Sequence, residues 1–193
     1  MTEVSERDDW NERYASGSHG GEAPDRFLSW AYAEYVEPML QTPGRALDLA
    51  GGLGRHSVWL AQRGWRCTLM DVADRGLEIA EQRADAAGVK IDRVRRDLSV
   101  SGKLGSYQLI LNFFYLERSL YPEILAALAP GAFLVFKTYT ERHPALSGGK
   151  GPTHPMHLLK NGELLRAFRS LDILYYRETV TQKGIAELVA RRP

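Results

Sequence analysis

Residues 45–71 read RALDLAGGLGRHSVWLAQRGWRCTLMD, and this stretch decides the fold. It opens on a short apolar strand, Arg45–Ala50, and runs into glycines at positions 51, 52 and 54. A helix over Arg55–Arg63 follows, with Val58, Trp59 and Leu60 on its apolar side and Gly64 as its stop. Trp65–Val72 is a second strand. Strand, tight turn, helix and strand in that order make a βαβ unit with parallel strands. Glycines let the backbone turn sharply and let a ligand sit directly on it. The helix start offers unpaired N–H groups to an anion. In α/β sheets ligands lie outside the carboxyl ends of the strands, and this loop stands at that edge. Taken alone, such a loop is also simply a tight strand-to-helix turn.

The alternation continues on both sides. Asp74 is a candidate N-cap for a helix running to Ala87 and closed by Gly88. Ile91–Arg96 is a weaker third strand and Tyr107–Phe113 a strong fourth. Tyr121–Leu128 is a helix with Pro122 near its first turn. Pro130–Gly131 is a turn, and Ala132–Tyr139 a fifth strand. These strands are short and nearly all apolar, as in parallel strands covered on both faces. Upstream, Asp25–Leu40 places Phe27, Leu28, Ala31, Tyr32, Tyr35 and Val36 at helical spacing. Asp8–Gly21 mixes aromatics with charges and ends in SGSHGG, a flexible loop by composition. A Gly/Pro/His loop, Glu141–His157, precedes a helix near Asn161–Phe168. Leu171–Thr179 and Gly184–Arg191 then form a hairpin. The expected fold is α/β, a Rossmann-like doubly wound sheet of about seven strands, mostly parallel with an antiparallel terminal hairpin strand.

Composition narrows the function. At 193 residues the chain is the size of one domain, and 44% of it is apolar. The 25 Lys and Arg against 24 Asp and Glu leave no basic excess for nucleic acid or an anionic membrane. The one cysteine, Cys67, excludes an internal disulfide and a multi-cysteine metal site, and it reads as a small buried apolar residue. The opening MTEVSERDDW is polar and acidic, unlike a signal peptide, and no apolar run approaches a membrane span. A cytoplasmic protein, monomer or homodimer, is the expectation.

Three successive strand ends carry chemistry. After the glycine loop, Asp71 ends the second strand about 20 residues on, the spacing at which an acid meets a ribose diol. Its bland alternative is a helix cap or a solvated strand end. Asp97 follows the third strand, with Leu98 beside it to pack on a ring; its alternative is a salt bridge with Arg95 or Arg96. The dinucleotide fingerprint is not met, since Ser57 stands at the third glycine position. Asp48 lies inside the first strand, where it would repel a pyrophosphate and suit an ammonium or a sulfonium. No Walker lysine follows the loop.

On these residues the sequence resembles class I S-adenosylmethionine-dependent methyltransferases, and within them the small tellurite-resistance and thiopurine-type group. The resemblance runs from Trp10-Asn-Glu-Arg-Tyr14 to the final strand, and ALDLAGGLGRHSVWLAQRGWRCTLMD is its most specific part. The family's loop usually reads D-x-G-x-G-x-G; here Ala50 stands at the first glycine and Gly51 where a cysteine is common. The resemblance implies S-adenosyl-L-methionine as cofactor. Asp48, Ala50, Gly52 and Gly54, with Gly51, would hold its methionyl end. Asp71 would meet the ribose, with Val72 beside it also at the cofactor, and Asp97 and Leu98 would meet the adenine. The backbone near Asn112 and Phe113 would lie beside the methionyl moiety. Arg13 and Tyr14 would serve the cofactor or a lid, against a plain solvated helix. One methyltransferase domain, 1–193, is then expected: a preface or lid (1–44), a cofactor-binding half (45–140), and an acceptor-side loop with the terminal hairpin (141–193).

The expected reaction is in-line methyl transfer to a small molecule, in which the protein mainly positions and desolvates. Trp10, Tyr14, Phe113, Phe114 and Tyr115 are cation–π candidates or ordinary core. No base is evident. Asn112-Phe-Phe-Tyr115 lacks both prolines of the N-P-P-Y element found in amino-directed methyltransferases. Acceptor-side candidates are Tyr115, Glu117, His143, His154 and His157. Glu117 and Arg118 read alternatively as a surface salt pair, and the histidines as part of a mobile loop. A metal is not expected from two histidines without cysteines or paired acids. A non-catalytic S-adenosylmethionine-binding protein, an NAD-dependent oxidoreductase and a nucleic-acid methyltransferase are the competing readings.

Overall fold

The structure, a computed structural model, describes residues 6–17, 21–40 and 42–193. Residues 18–20 of the SGSHGG stretch therefore lie outside the described residues. One seven-stranded sheet runs in the order β3-β2-β1-β4-β5-β7-β6. Its strands are β1 (Arg45–Leu49), β2 (Arg66–Asp71), β3 (Asp92–Arg95), β4 (Tyr107–Phe113), β5 (Leu128–Tyr139), β6 (Asp172–Thr181) and β7 (Lys183–Arg191). The first five pair in parallel, and β7 lies antiparallel between β5 and β6. This is the Rossmann-like, mostly parallel sheet with an antiparallel terminal hairpin strand that the alternation predicts.

Period-two alternation explains how the sheet is covered on both faces. Leu109, Leu111 and Phe113 of β4 enter one core, with Phe133 and Val135 of β5. Ile110, Leu134 and Phe136 enter the other. The first core packs under α2 (Arg26–Ala31) and α4 (Arg55–Ala61); the second packs under α6 (Leu120–Ala127) and α8 (Glu163–Ala167). Helix α5 (Asp74–Ala86) covers β2 and β3 through Leu77 and Ala80. The remaining helices are α1 (Glu6–Ala15), α3 (Glu37–Met39) and α7 (His143–Leu146). Among the described residues no helix is long and apolar enough to cross a membrane.

Four details differ from the sequence reading. The helix after Asp25 contains a π-helical turn, Tyr32–Val36, before α3. Asp74 is the first residue of α5 and not its cap: Ala73 holds the cap position, and the Asp71 carboxylate accepts the Ala73 N–H at 2.9 Å. Strand β5 begins at Leu128, which pairs with Tyr107; the expected Pro130–Gly131 turn is a register shift inside one strand. Every residue of β3 is exposed, so it does not share the apolar character of its neighbours.

Candidate functional site

A cleft of about 230 Å³ opens at the carboxyl ends of β1, β2 and β4. Its floor is the loop after β1. Ala50 and Gly52 adopt left-handed backbone, φ 50° and 53°. Glycine takes that conformation freely, while alanine is strained in it. Gly51 has no room for a side chain: a Cβ there would stand 2.7 Å from Asp48 Oδ2. At Gly52 a Cβ would stand 2.6 Å from the Tyr14 hydroxyl. Gly54 caps α4 and lies against α5, where a Cβ would meet Ala80 at 2.7 Å. Its glycine serves helix packing, and it does not line the cleft.

Two buried carboxylates hold the loop. Asp71 accepts the Gly52 N–H at 2.8 Å with its second oxygen and the Ala73 N–H with its first. Burial raises its pKa above the ordinary carboxylate value, and the N–H donors of Ala73 and Gly52 partly oppose this. Asp48 accepts the Ser57 hydroxyl at 2.8 Å on Oδ2. Ser57, the departure from the dinucleotide fingerprint, is thus the residue that fixes Asp48. Asp48 Oδ1 is buried without a hydrogen-bond partner. A lone carboxylate oxygen in such a place suits a cationic group on a ligand. With Gly51 and Gly52 bare of side chains, the floor fits a compact cation-bearing molecule.

Helix α1 forms one wall. Arg7 Nε donates to Asp74 Oδ2 at 2.8 Å, and the Arg75 N–H donates to Asn11 Oδ1 at 2.9 Å, so α1 is docked on the start of α5. This turns Trp10 and Tyr14 into the cleft. Burial, then the charges of Asp71 and Asp48, push the Tyr14 phenol up and keep it neutral. Phe113, Phe114 and Tyr115 line the cleft from the end of β4. Burial likewise raises the Tyr115 phenol.

Of the residues singled out from sequence, Tyr14, Asp48, Ala50, Gly51, Gly52, Asp71, Val72, Asp97, Leu98, Phe113 and Tyr115 line this cleft. Arg13 does not; its guanidinium lies 5.0 Å from the Trp10 ring centre. Asn112 is buried behind the cleft with its Oδ1 unpaired. Asp97 is not bridged to Arg95 or Arg96: it accepts the Ser99 hydroxyl at 2.6 Å, which lowers its pKa. Arg96 turns instead to Glu123 and the Gly102 carbonyl.

The acceptor-side set disperses. Glu117 and Arg118 are not paired with one another. Glu117 accepts the Ser119 N–H at 2.9 Å, and Arg118 donates to both Glu163 oxygens. His143 is buried on the Tyr139 ring, and its Nε2 meets the Lys150 carbonyl at 2.9 Å. His154 and His157 are exposed. None of these four lines the cleft; Tyr115 alone of the set does. Among the described residues no three His, Cys, Asp or Glu side chains converge as a metal site requires. The sequence reading passed over Glu6, Arg55, His56 and Arg96, which also line the cleft. Adjacency of Arg55 and His56 to the loop was the available signal.

Residues 46–131 match the family described as Methyltransferase domain. Among curated proteins none matches the sequence. Solved structures match over nearly all of it. TehB from Haemophilus influenzae is 15% identical at TM-score 0.73, covering 95% of this chain and 67% of that one. Magnesium protoporphyrin IX methyltransferase (ChlM) from Synechocystis PCC 6803, solved with bound S-adenosylhomocysteine, is 17% identical at TM-score 0.74, covering 97% and 98%. The [4+2]-cyclase SpnF is 17% identical at TM-score 0.73, covering 96% and 93%. At such identities the likeness establishes the fold; a methyltransferase and a cyclase among the matches illustrate that the fold does not choose the reaction.

Proposed function

We propose that this protein is an S-adenosylmethionine-dependent methyltransferase that passes a methyl group to a small-molecule nucleophile by in-line displacement. The observation that carries the reading is the pairing of two buried carboxylates over one bare glycine loop, with Asp48 Oδ1 left without a partner. When bound, S-adenosylmethionine supplies a methyl group already activated on a sulfonium. Asp48, Gly51 and Gly52 hold its methionyl end, Asp71 its ribose, and Asp97 with Leu98 its adenine. Trp10, Tyr14, Phe113 and Phe114 wall the cleft, exclude water and offer ring faces to positive charge. No side chain in the cleft is assigned as a base; the residues position and desolvate.

The acceptor is a small molecule. The charge balance argues against a nucleic-acid substrate, and the cleft is a small one, walled by α1 and the start of α4. All 193 residues form one methyltransferase domain, with 1–44 as preface, and it works in the cytoplasm as a monomer or homodimer. A non-catalytic cofactor-binding protein is the second reading, favoured by the dispersal of Glu117 and the three histidines away from the cleft. Formation of S-adenosylhomocysteine from S-adenosylmethionine is to be assayed with thiol, amine and chalcogen acceptors. Turnover with any of them supports the enzyme. Tight cofactor binding without turnover on the whole panel sinks it in favour of the second reading.

A further inference from the structure

His56 is one of the cleft residues that the reading above leaves without a task. Its ring is 3% exposed and rests against Phe113, with ring centres 4.4 Å apart. The Asp25 N–H donates to His56 Nε2 at 3.3 Å. A ring nitrogen that accepts a hydrogen bond carries no hydrogen, so the neutral imidazole bears its proton on Nδ1. Nδ1 faces Asp48 and lies 3.8 Å from Oδ1, the oxygen without a hydrogen-bond partner. Ser57 pins the other oxygen. One ring nitrogen is thus bonded to the preface while the other faces the end of β1.

The tether is anchored at its far end. Asp25 caps α2 by accepting the Phe27 N–H at 2.8 Å, and its carboxylate also receives Lys137 Nζ at 2.9 Å. Lys137, near the end of β5, is held in turn by Glu187 of β7 at 3.3 Å. The position of the imidazole is thus set through the cap of α2, β5 and β7.

We infer that His56 is a positioning residue for the cofactor's methionyl end, acting through Asp48: Nδ1–H steers the free carboxylate oxygen toward the ligand's cation. This rests on the cofactor reading above. A carboxylate fixed at one oxygen alone can still swing the other, and misdirected charge in a buried site is costly. A histidine suits the task because it accepts on one edge and donates on the other. Asparagine keeps both functions on a shorter arm; phenylalanine keeps only the ring.

Calorimetry with S-adenosylhomocysteine and with 5′-methylthioadenosine, which lacks the amino-acid end, separates positioning from mere packing. His56→Phe is expected to weaken S-adenosylhomocysteine about tenfold, and 5′-methylthioadenosine by less than about twofold. His56→Asn is expected to return S-adenosylhomocysteine to within about threefold of the unaltered protein. Should His56→Phe lack a cooperative thermal transition, His56→Ala takes its place. Unchanged S-adenosylhomocysteine affinity, equal losses for both ligands, or no rescue by asparagine overturns the inference while leaving the cofactor reading intact. Failure of the unaltered protein to bind S-adenosylhomocysteine overturns both.

Discussion

The Asp71 carboxylate accepts the Gly52 N–H at 2.8 Å, so the last residue of β2 holds the middle of the loop that follows β1. The contact spans 19 residues of sequence and joins the two features that define the cleft. Its other oxygen receives the Ala73 N–H and so caps α5 as well. Each oxygen retains a lone pair, and the ligand's hydroxyls are the partners we assign to them.

Asp71 gives stability and binding opposite pH dependences. Its folded-state pKa is raised above the ordinary 3.8, chiefly by burial. Its contribution to the stability of the free protein is therefore full below 3.8 and lost as pH rises through the raised value. A diol needs the ionised, acceptor-only form, so S-adenosylhomocysteine affinity rises over the same interval. Carboxyl-carbon NMR titration beside calorimetry checks both signs; affinity falling with pH in that window contradicts the assignment.

Ala50 at φ 50° is strained, and Ala50→Gly relieves that strain. Left-handed backbone costs a non-glycine residue about 1–2 kcal/mol, whereas the added freedom of glycine in the unfolded chain costs about 0.4–1 kcal/mol. The difference favours the variant, by about 0.5–1 kcal/mol. Urea denaturation with an unchanged slope reads it directly. A variant less stable than the native protein would mean that the neighbouring contacts already offset the strain.

Gly52→Ala acts in the other direction. It combines left-handed strain with a Cβ 2.6 Å from the Tyr14 hydroxyl. Tyr14 must shift, and with it the wall of the cleft. We expect a stability loss of about 1–2 kcal/mol and at least about tenfold weaker S-adenosylhomocysteine binding. Native-like binding would show that Tyr14 does not form the ligand's wall.

Helix α1 has no fully buried residue; its half-buried Tyr14 ring packs at Gly76 of α5, and polar contacts with α5 add to its docking. The Arg7–Asp74 pair is partly exposed, with side-chain exposures of 47% and 37%, and is screened by solvent. Asp74→Ala should leave global stability nearly unchanged yet speed amide exchange across α1 and weaken cofactor binding. Hydrogen exchange read segment by segment tests this. Unaltered exchange in α1 would place its anchor elsewhere, with Asn11 the next contact to remove.

Much of this was legible in the residues. Glycine spacing, the apolar runs of β1, β2, β4 and β5, and the strand-end acids follow from local rules, so the sheet and the cleft floor could be read in order. What escaped depends on contacts distant in sequence. His56 faces Asp48 because Asp25, 31 residues earlier, fixes its other nitrogen. Asp74 reads as a cap until Asp71 takes that role from the preceding strand. Glu117 and Arg118 are neighbours in the chain, yet one closes its own turn and the other reaches Glu163. His143, His154 and His157 lie near one another in the sequence but have different surroundings: His143 is buried in α7, and the other two are exposed. Nearness in sequence brought none of these residues into the cleft.

The most direct test of the account is titration of the purified protein with S-adenosylhomocysteine by calorimetry, beside Asp71→Ala and an NAD control. The account predicts micromolar binding by the unaltered protein, its loss in Asp71→Ala, and no heat from NAD. Absence of binding by the unaltered protein, or NAD binding in its place, would contradict it and leave the glycine loop a turn or a dinucleotide site.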